Sequence, residues 1–336
     1  MAPATHPLHF IAEAGTNHGG KLSLARDLAE IAANARADSV KFQLIYPEGL
    51  YLPELRTETG AYETSEVFEK RRAMMLTDDQ WRELAAACRD LAIPMSASVF
   101  DERGVRLLDQ LDAPYLKFAS CDLNNSELLR AGAATGRKLI VSTGMSTLGE
   151  IERAVLDLVA AGASDIVLLH CVSAYPAATR DMNLSMIPTL ASAFGFPVGL
   201  SDHTESGAAA SAAVALGATW FEKHFTYDRS ADGFDHAYAM EPQGLASYID
   251  EVRSVAQALA PSPKKLRPAE EAVAPRARRG LWVARDLPAG QTITRDDVVV
   301  VRPAGPMAPN SAADLIGRTT TRPLARYEPW TPEAVR

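Results

Sequence analysis

Along the first 260 residues, short apolar runs alternate with longer segments whose apolar residues recur every three or four positions. The runs begin at Leu8 (LHFIAEA), Asp38 (DSVKFQL), Ile93 (IPMSASV), Pro114 (PYLKFAS), Lys138 (KLIVST), Asp165 (DIVLLHC), Pro197 (PVGLSD) and Ala218 (ATWFEKH). Each has the length and apolar character of a strand. Segments 22–36, 77–91 and 147–161 carry helical spacing. Alternating strand and helix predicts an α/β protein with a parallel sheet, and eight such units in about 250 residues predict a closed (β/α)8 TIM barrel. A doubly wound open sheet competes with it, but no Gly-x-Gly-x-x-Gly follows any of the eight runs.

The pattern stops near Ala260. Residues 1–260 read as the barrel domain and 261–276 (PSPKKLRPAEEAVAPR), rich in proline and charge, as a linker. Residues 277–336 read as a small β-rich domain, with strands expected at 280–287, 292–301 and 319–324 and a turn at Pro288-Ala289-Gly290.

Composition narrows the function. Lys and Arg total 34 against 42 Asp and Glu, a net charge of −8, and 47% of residues are hydrophobic. That excludes a disordered chain, and an acidic protein lacks the basic face that nucleic-acid phosphates need. The uncharged stretches 185–201 and 206–221 are broken by Pro, Gly, Ser or Thr, so no membrane span is expected. Cys88, Cys121 and Cys171 are widely spaced, which points to a reducing compartment, and residues 1–7 show no signal peptide. The expected location is cytoplasmic. The charge is uneven: residues 277–336 hold nine arginines and six acidic residues, a net +3 against −11 elsewhere.

In a barrel the chemistry sits at the C-terminal ends of the strands. Those ends carry Glu13, Lys41, Gln43, Ser98, Lys117, Ser120, Ser142, His170, Ser173, Tyr175, Ser201, His203, Lys223 and His224. Lysines and hydroxyls facing one mouth make an anion site suited to a phosphate. His203 and His224 end consecutive strands, ~4.8 Å apart in a sheet, so their imidazoles can share a metal ion with positions left for water and substrate. On spacing alone the pair reads equally as core histidines. His170 reads as a core histidine, and His6, His9 and His18 have no metal-ligand spacing. Gly15-Thr-Asn-His-Gly-Gly20-Lys21 approaches a phosphate loop. Leu22 stands where that loop needs Ser or Thr to bind Mg²⁺, so the glycines are read as permitting a tight turn.

The ordered set resembles the sialic acid synthase family, the phosphoenolpyruvate-condensing nonulosonate synthases. The resemblance spans nearly the whole chain. It runs through Ile11-Ala-Glu-Ala-Gly-Thr-Asn-His18-Gly, Val40-Lys-Phe-Gln43, Lys117-Phe-Ala-Ser120 and Ser142-Thr-Gly-Met145. It continues through His170-Cys-Val-Ser-Ala-Tyr-Pro176, Gly199-Leu-Ser-Asp-His-Thr204, Glu222-Lys-His-Phe-Thr226 and Asp235-His236. The C-terminal domain resembles the antifreeze-like SAF domain, with Arg278-Arg279 leading in and Arg302-Pro303 within it.

The resemblance implies a transferase. Carbon 3 of phosphoenolpyruvate attacks the open-chain aldehyde of an N-acyl hexosamine, water adds at carbon 2, and phosphate leaves by C–O cleavage. It implies that Lys41, Ser98, Lys117, Ser120, Ser142 and Ser201 bind phosphoenolpyruvate, and that Glu13 orients the reacting carbons or moves a proton. Gln43, Asp122, Ser173, Tyr175 and Asp235 would contact the sugar. Arg302 would reach the sugar site of the partner in a domain-swapped homodimer. His203 and His224 would hold a divalent ion, Mn²⁺ first and Mg²⁺ or Co²⁺ otherwise.

The sequence departs from the family pattern at Ser98 (Thr is common), Asp122 (often Glu), Phe234 (usually Pro) and Ala304-Gly-Pro-Met-Ala-Pro (more usually Gly-x-Gly-Ile-Ser-Pro). These lie toward the sugar, so the acceptor is left between N-acetylmannosamine and a 6-deoxy-diacetamido sugar. One alternative is a condensation of the heptulosonate or octulosonate type, whose phosphorylated sugar needs a second basic cluster. Another is a non-catalytic carbohydrate- or ice-binding SAF protein, which needs no paired histidines beside lysines and serines.

Overall fold

The computed structural model describes residues 7–336; His6 and the stretch read for a leader lie outside the described residues. The chain divides into two compact units, the first ending at Pro261 and the second starting at Ser262.

The strands of the first unit are β1 (His9–Gly15), β2 (Ser39–Leu44), β3 (Glu54–Arg56), β4 (Tyr62–Thr64), β5 (Met95–Val99), β6 (Tyr115–Phe118), β7 (Lys138–Ser142), β8 (Ile166–Cys171), β9 (Val198–Asp202) and β10 (Trp220–His224). All but β3 and β4 form one closed parallel barrel in the order β1-β10-β9-β8-β7-β6-β5-β2. The fold is thus the TIM barrel that the eight apolar runs predict. The long interval between the second and third runs holds the exposed antiparallel hairpin β3–β4 and the helix Glu66–Ala73.

Two apolar layers hold the barrel. The outer one packs helices on strands. Helix Leu148–Ala160, for instance, buries Ile151, Ala154, Val155 and Leu158, one stripe at spacings of three and four. The inner one is a small cluster of Ile11, Tyr115, Ile140, Val167 and Leu169, with Trp220 against it. Successive side chains on a strand point to opposite faces, so residues two positions on continue the same inner face. From Ile11, Tyr115, Ile140 and Trp220 that step reaches Glu13, Lys117, Ser142 and Glu222, all buried. A polar layer therefore lies directly above the apolar plug. At Gly199 the strands crowd together: a Cβ there would stand 2.2 Å from the Trp220 carbonyl oxygen.

In the second unit, helix Pro268–Ala277 occupies most of the stretch read as a linker. Proline at its first turn costs no hydrogen bond, and the Glu270 carboxylate accepts the Arg267 backbone N–H at 2.8 Å, so Pro268 starts a helix within the stretch read as a linker. Strands β11 (Gly280–Val283) and β12 (Val298–Val301) pair antiparallel. Both are shorter than expected, and 319–324 forms isolated bridges, Leu287 with Leu324 and Thr292 with Thr319. Pro288 and Pro323 offer no amide hydrogen to extend a ladder there. Leu281, Val283, Ile293, Leu315 and Trp330 form this unit's own core. Among the described residues no helix is long and apolar enough to cross a membrane.

Candidate active site at the barrel mouth

The polar layer opens into a cavity of about 240 Å³ at the C-terminal ends of the strands. Its floor is a buried charge cluster. Lys41 on β2 sits 2.5 Å from the Glu13 carboxylate on β1 and 3.6 Å from that of Glu222 on β10. Lys117 on β6 lies 3.7 Å from Glu222. Three of the four charges also have a hydroxyl partner: Lys41 donates to Ser98 (2.9 Å), Lys117 donates to Ser142 (2.7 Å), and Ser201 donates to Glu222 (3.0 Å). Such a cluster survives burial only because its ammonium and carboxyl groups pair with one another and with neighbouring hydroxyls.

The environment separates the two carboxylates. Burial pushes Glu13 up to about 8 despite the pull of Lys41. Burial also opposes ionisation of Glu222, but the ammonium groups of Lys117 and Lys41 hold it down to about 2. Burial lowers Lys117. For Lys41 burial acts the same way, but Glu13 and Glu222 outweigh it and raise the group. Burial and neighbouring charge thus drive two carboxylates of one cavity in opposite directions.

Two imidazoles form the wall beside this floor, with ring centres 5.7 Å apart. His203 donates its Nδ1–H to the Val172 carbonyl (2.8 Å), which leaves Nε2 unprotonated, 3.3 Å from Ser201 Oγ. His224 Nδ1 is buried without a hydrogen-bond partner, 3.9 Å from Asp235 Oδ2. Burial lowers both rings, His224 to about 4, so both are neutral near pH 7. Among the described residues no group of three or more His, Cys, Asp or Glu converges on a metal position.

The remaining predicted residues divide by location. Gln43, Ser120, Ser173 and Tyr175 line the cavity. Ser120 accepts the Gly144 backbone N–H at 3.0 Å, and the Tyr175 ring lies 4.2 Å from that of His203. Asp235 is buried at the edge of this region. Its Oδ2 stands 2.5 Å from where a Cβ on Gly15 would be, and Gln43 Nε2 is 3.6 Å from the same point. Gly15 also has φ +56°, so glycine is required there twice over. Asp122 is buried outside the cavity lining, with the Cys121 thiol 3.3 Å from its carboxylate. Arg302 belongs to the second unit, just after β12, and is exposed.

Two strand-end residues turn away from the mouth. Lys223 faces outward, 3.3 Å from Asp202 and over the Tyr248 ring, because it alternates with Glu222 and His224. His170 bonds the Met182 carbonyl at 2.6 Å, as a core histidine does. The residue that strand-end reading missed is Glu222. Counting back two from His224 would have placed it on the inner face. Phe100, Met145 and Cys171 also line the cavity; Cys171 continues the inner face of Val167 and Leu169.

Comparison with known proteins agrees with this architecture. Residues 28–264 match the NeuB family and residues 278–336 the SAF domain. The N,N'-diacetyllegionaminic acid synthase of Legionella pneumophila is 35% identical over 92% of this chain and 89% of its own length. The human N-acetylneuraminate-9-phosphate synthase is 33% identical over 93% of this chain and 88% of its own. The crystal structure of the N-acetylneuraminic acid synthetase of Leptospira borgpetersenii, in complex with citrate, superposes with a TM-score of 0.71 and 34% identity over 80% of this chain and 91% of that one. The chain therefore belongs to the NeuB family of nonulosonic acid synthases and carries a C-terminal SAF domain.

Proposed function

We propose that the protein condenses phosphoenolpyruvate with the open-chain aldehyde of an N-acyl hexosamine, either N-acetylmannosamine or a 6-deoxy-diacetamido sugar. The observation that carries this reading is the buried Lys41–Lys117 pair with its serines, one wall away from two neutral imidazoles. Ammonium groups and hydroxyls suit the phosphate and carboxylate of phosphoenolpyruvate. Lys41, Lys117, Ser98, Ser120, Ser142 and Ser201 take that role. Gln43, Ser173, Tyr175 and Asp235 face the acceptor. Asp122 acts from behind Cys121 as support.

His203 and His224 fit a divalent cation. His203 has a fixed tautomer with Nε2 free, and His224 has a buried, unpartnered ring nitrogen. Mn²⁺ would be the first choice, Mg²⁺ or Co²⁺ the others, and such an ion supplies polarisation of the acceptor's aldehyde. Glu13, whose burial favours its protonated form, gives its proton to the aldehyde oxygen as C3 bonds to the aldehyde carbon. Water then adds at C2 and returns one proton to Glu13; the C2–O bond to phosphate breaks as the new C2 hydroxyl becomes the ketone, and that hydroxyl's proton leaves with the phosphate. We also propose that the protein works as a homodimer in which Arg302 of one subunit meets the acceptor bound in the other.

The test is phosphate release from phosphoenolpyruvate with Mn²⁺ and each acceptor in turn. Release that depends on both acceptor and cation supports the reading. No acceptor-dependent release with any of these sugars overturns it.

A further inference from the structure

Tyr238 lies on the turn His236–Tyr238, beyond the catalytic strands. Its hydroxyl donates to Asp235 Oδ1 at 2.5 Å. The other carboxylate oxygen, Oδ2, is buried without a hydrogen-bond partner and stands over Gly15 beside the Gln43 amide. The Tyr238 ring packs 5.0 Å from that of Tyr175 and 5.4 Å edge-on from that of His224, two residues that line the catalytic cavity. Tyr238 also lines a second cavity of about 280 Å³, with Glu205, Arg229, Met240 and Gln243. One side chain thus orients Asp235, backs two residues of the catalytic cavity's wall and lines the second cavity.

We propose that Tyr238 is a positioning and specificity-determining residue for the acceptor. Its hydroxyl holds Asp235 with Oδ2 free for a sugar hydroxyl or amide. Its ring limits how large a substituent the acceptor can carry toward the second cavity. The inference rests on the proposed condensation and deepens it, since it assigns a size limit to the acceptor site.

The test compares wild type, Tyr238→Phe and Tyr238→Ala with Mn²⁺ and phosphoenolpyruvate. The acceptors are N-acetyl-, N-butanoyl- and N-pentanoylmannosamine and 6-deoxy- and 6-O-methyl-N-acetylmannosamine. Loss of the hydrogen bond to Asp235 should raise the acceptor KM of Tyr238→Phe about tenfold with the phosphoenolpyruvate KM unchanged. Tyr238→Ala should raise kcat/KM for at least one enlarged acceptor, relative to N-acetylmannosamine, about tenfold, the effect of admitting one or two methylenes. Tyr238→Phe should keep the wild-type size preference, which a merely structural role would not predict. Turnover with unchanged acceptor KM and unchanged size preference in both variants overturns the inference alone. So does a parallel rise in the phosphoenolpyruvate KM. No turnover by wild type with any acceptor overturns the condensation reading and this inference with it.

Discussion

Glu13 and Glu222 are both buried carboxylates within reach of Lys41, yet one is raised to about 8 and the other lowered to about 2. The difference is one of neighbours: Glu222 lies between two ammonium groups and accepts from Ser201, whereas Glu13 meets one. If Glu13 moves a proton, Glu13→Gln should lower kcat of acceptor-dependent phosphate release by ~10²–10⁴ while leaving the phosphoenolpyruvate KM nearly unchanged. A parallel loss in both would assign Glu13 to binding. A second residue-scale prediction concerns stability. His18 accepts the Gly20 N–H at 3.1 Å and is buried, which lowers it from 6.5 to about 4. The unfolded chain takes up a proton at His18 below pH 6.5, and the folded one refuses it until about pH 4. The neutral ring's contribution is therefore complete above pH 6.5 and is lost as the pH falls toward 4, by about 3 kcal/mol in all. Urea midpoints measured from pH 7 to 4 should fall less steeply for His18→Asn, which cannot charge.

At the scale of elements, local chemistry sets the starts and stops. Helix Leu148–Ala160 begins at a reciprocal cap: Thr147 accepts the Glu150 N–H at 3.3 Å, and Glu150 accepts the Thr147 N–H at 2.7 Å. Helix Asp78–Asp90 starts the same way at Thr77 with Gln80. Thr147→Ala should cost about 1 kcal/mol, read as a lower denaturant midpoint, with faster hydrogen exchange confined to the first turn of that helix. These helices and all eight barrel strands were legible because a threonine cap and a period of two or 3.6 are properties of neighbouring residues. The helix Pro268–Ala277 and the short pairings around Thr319 were not legible. Proline carries two meanings, helix start and strand breaker, and the surroundings choose between them.

At the scale of the whole molecule, the charge divides between the units. The acidic unit buries Lys41 and Lys117 among its own carboxylates, and the second unit carries Arg302 exposed. If Arg302 serves the site of a partner subunit, Arg302→Ala and Lys41→Met homodimers should each lose most activity. Mixed and reassembled subunits should then recover up to about a quarter of wild type, because half of the dimers are hybrids with one intact site of two. No recovery on verified subunit exchange would place Arg302 in its own subunit's site or outside any site.

The sequence alone determined that eight strand–helix units close into a barrel, that polar residues gather at one end, and that a small β-rich domain follows. Those are periodic or local features, written within about a dozen residues. It also marked most of the cavity residues by position. Strand alternation puts sequence neighbours on opposite faces, and the tertiary structure decided which of those faces points inward. Lys223 is turned out and Glu222 in by a single step of strand alternation. It alone brought Asp235 onto Gly15, across some 220 residues of chain, and set Tyr238 against Tyr175 and His224 beside a second cavity. The charge states follow from that assembly too. How far a carboxylate or imidazole shifts depends on burial and on charges from other strands, and neither is a property of the residue's neighbours in sequence.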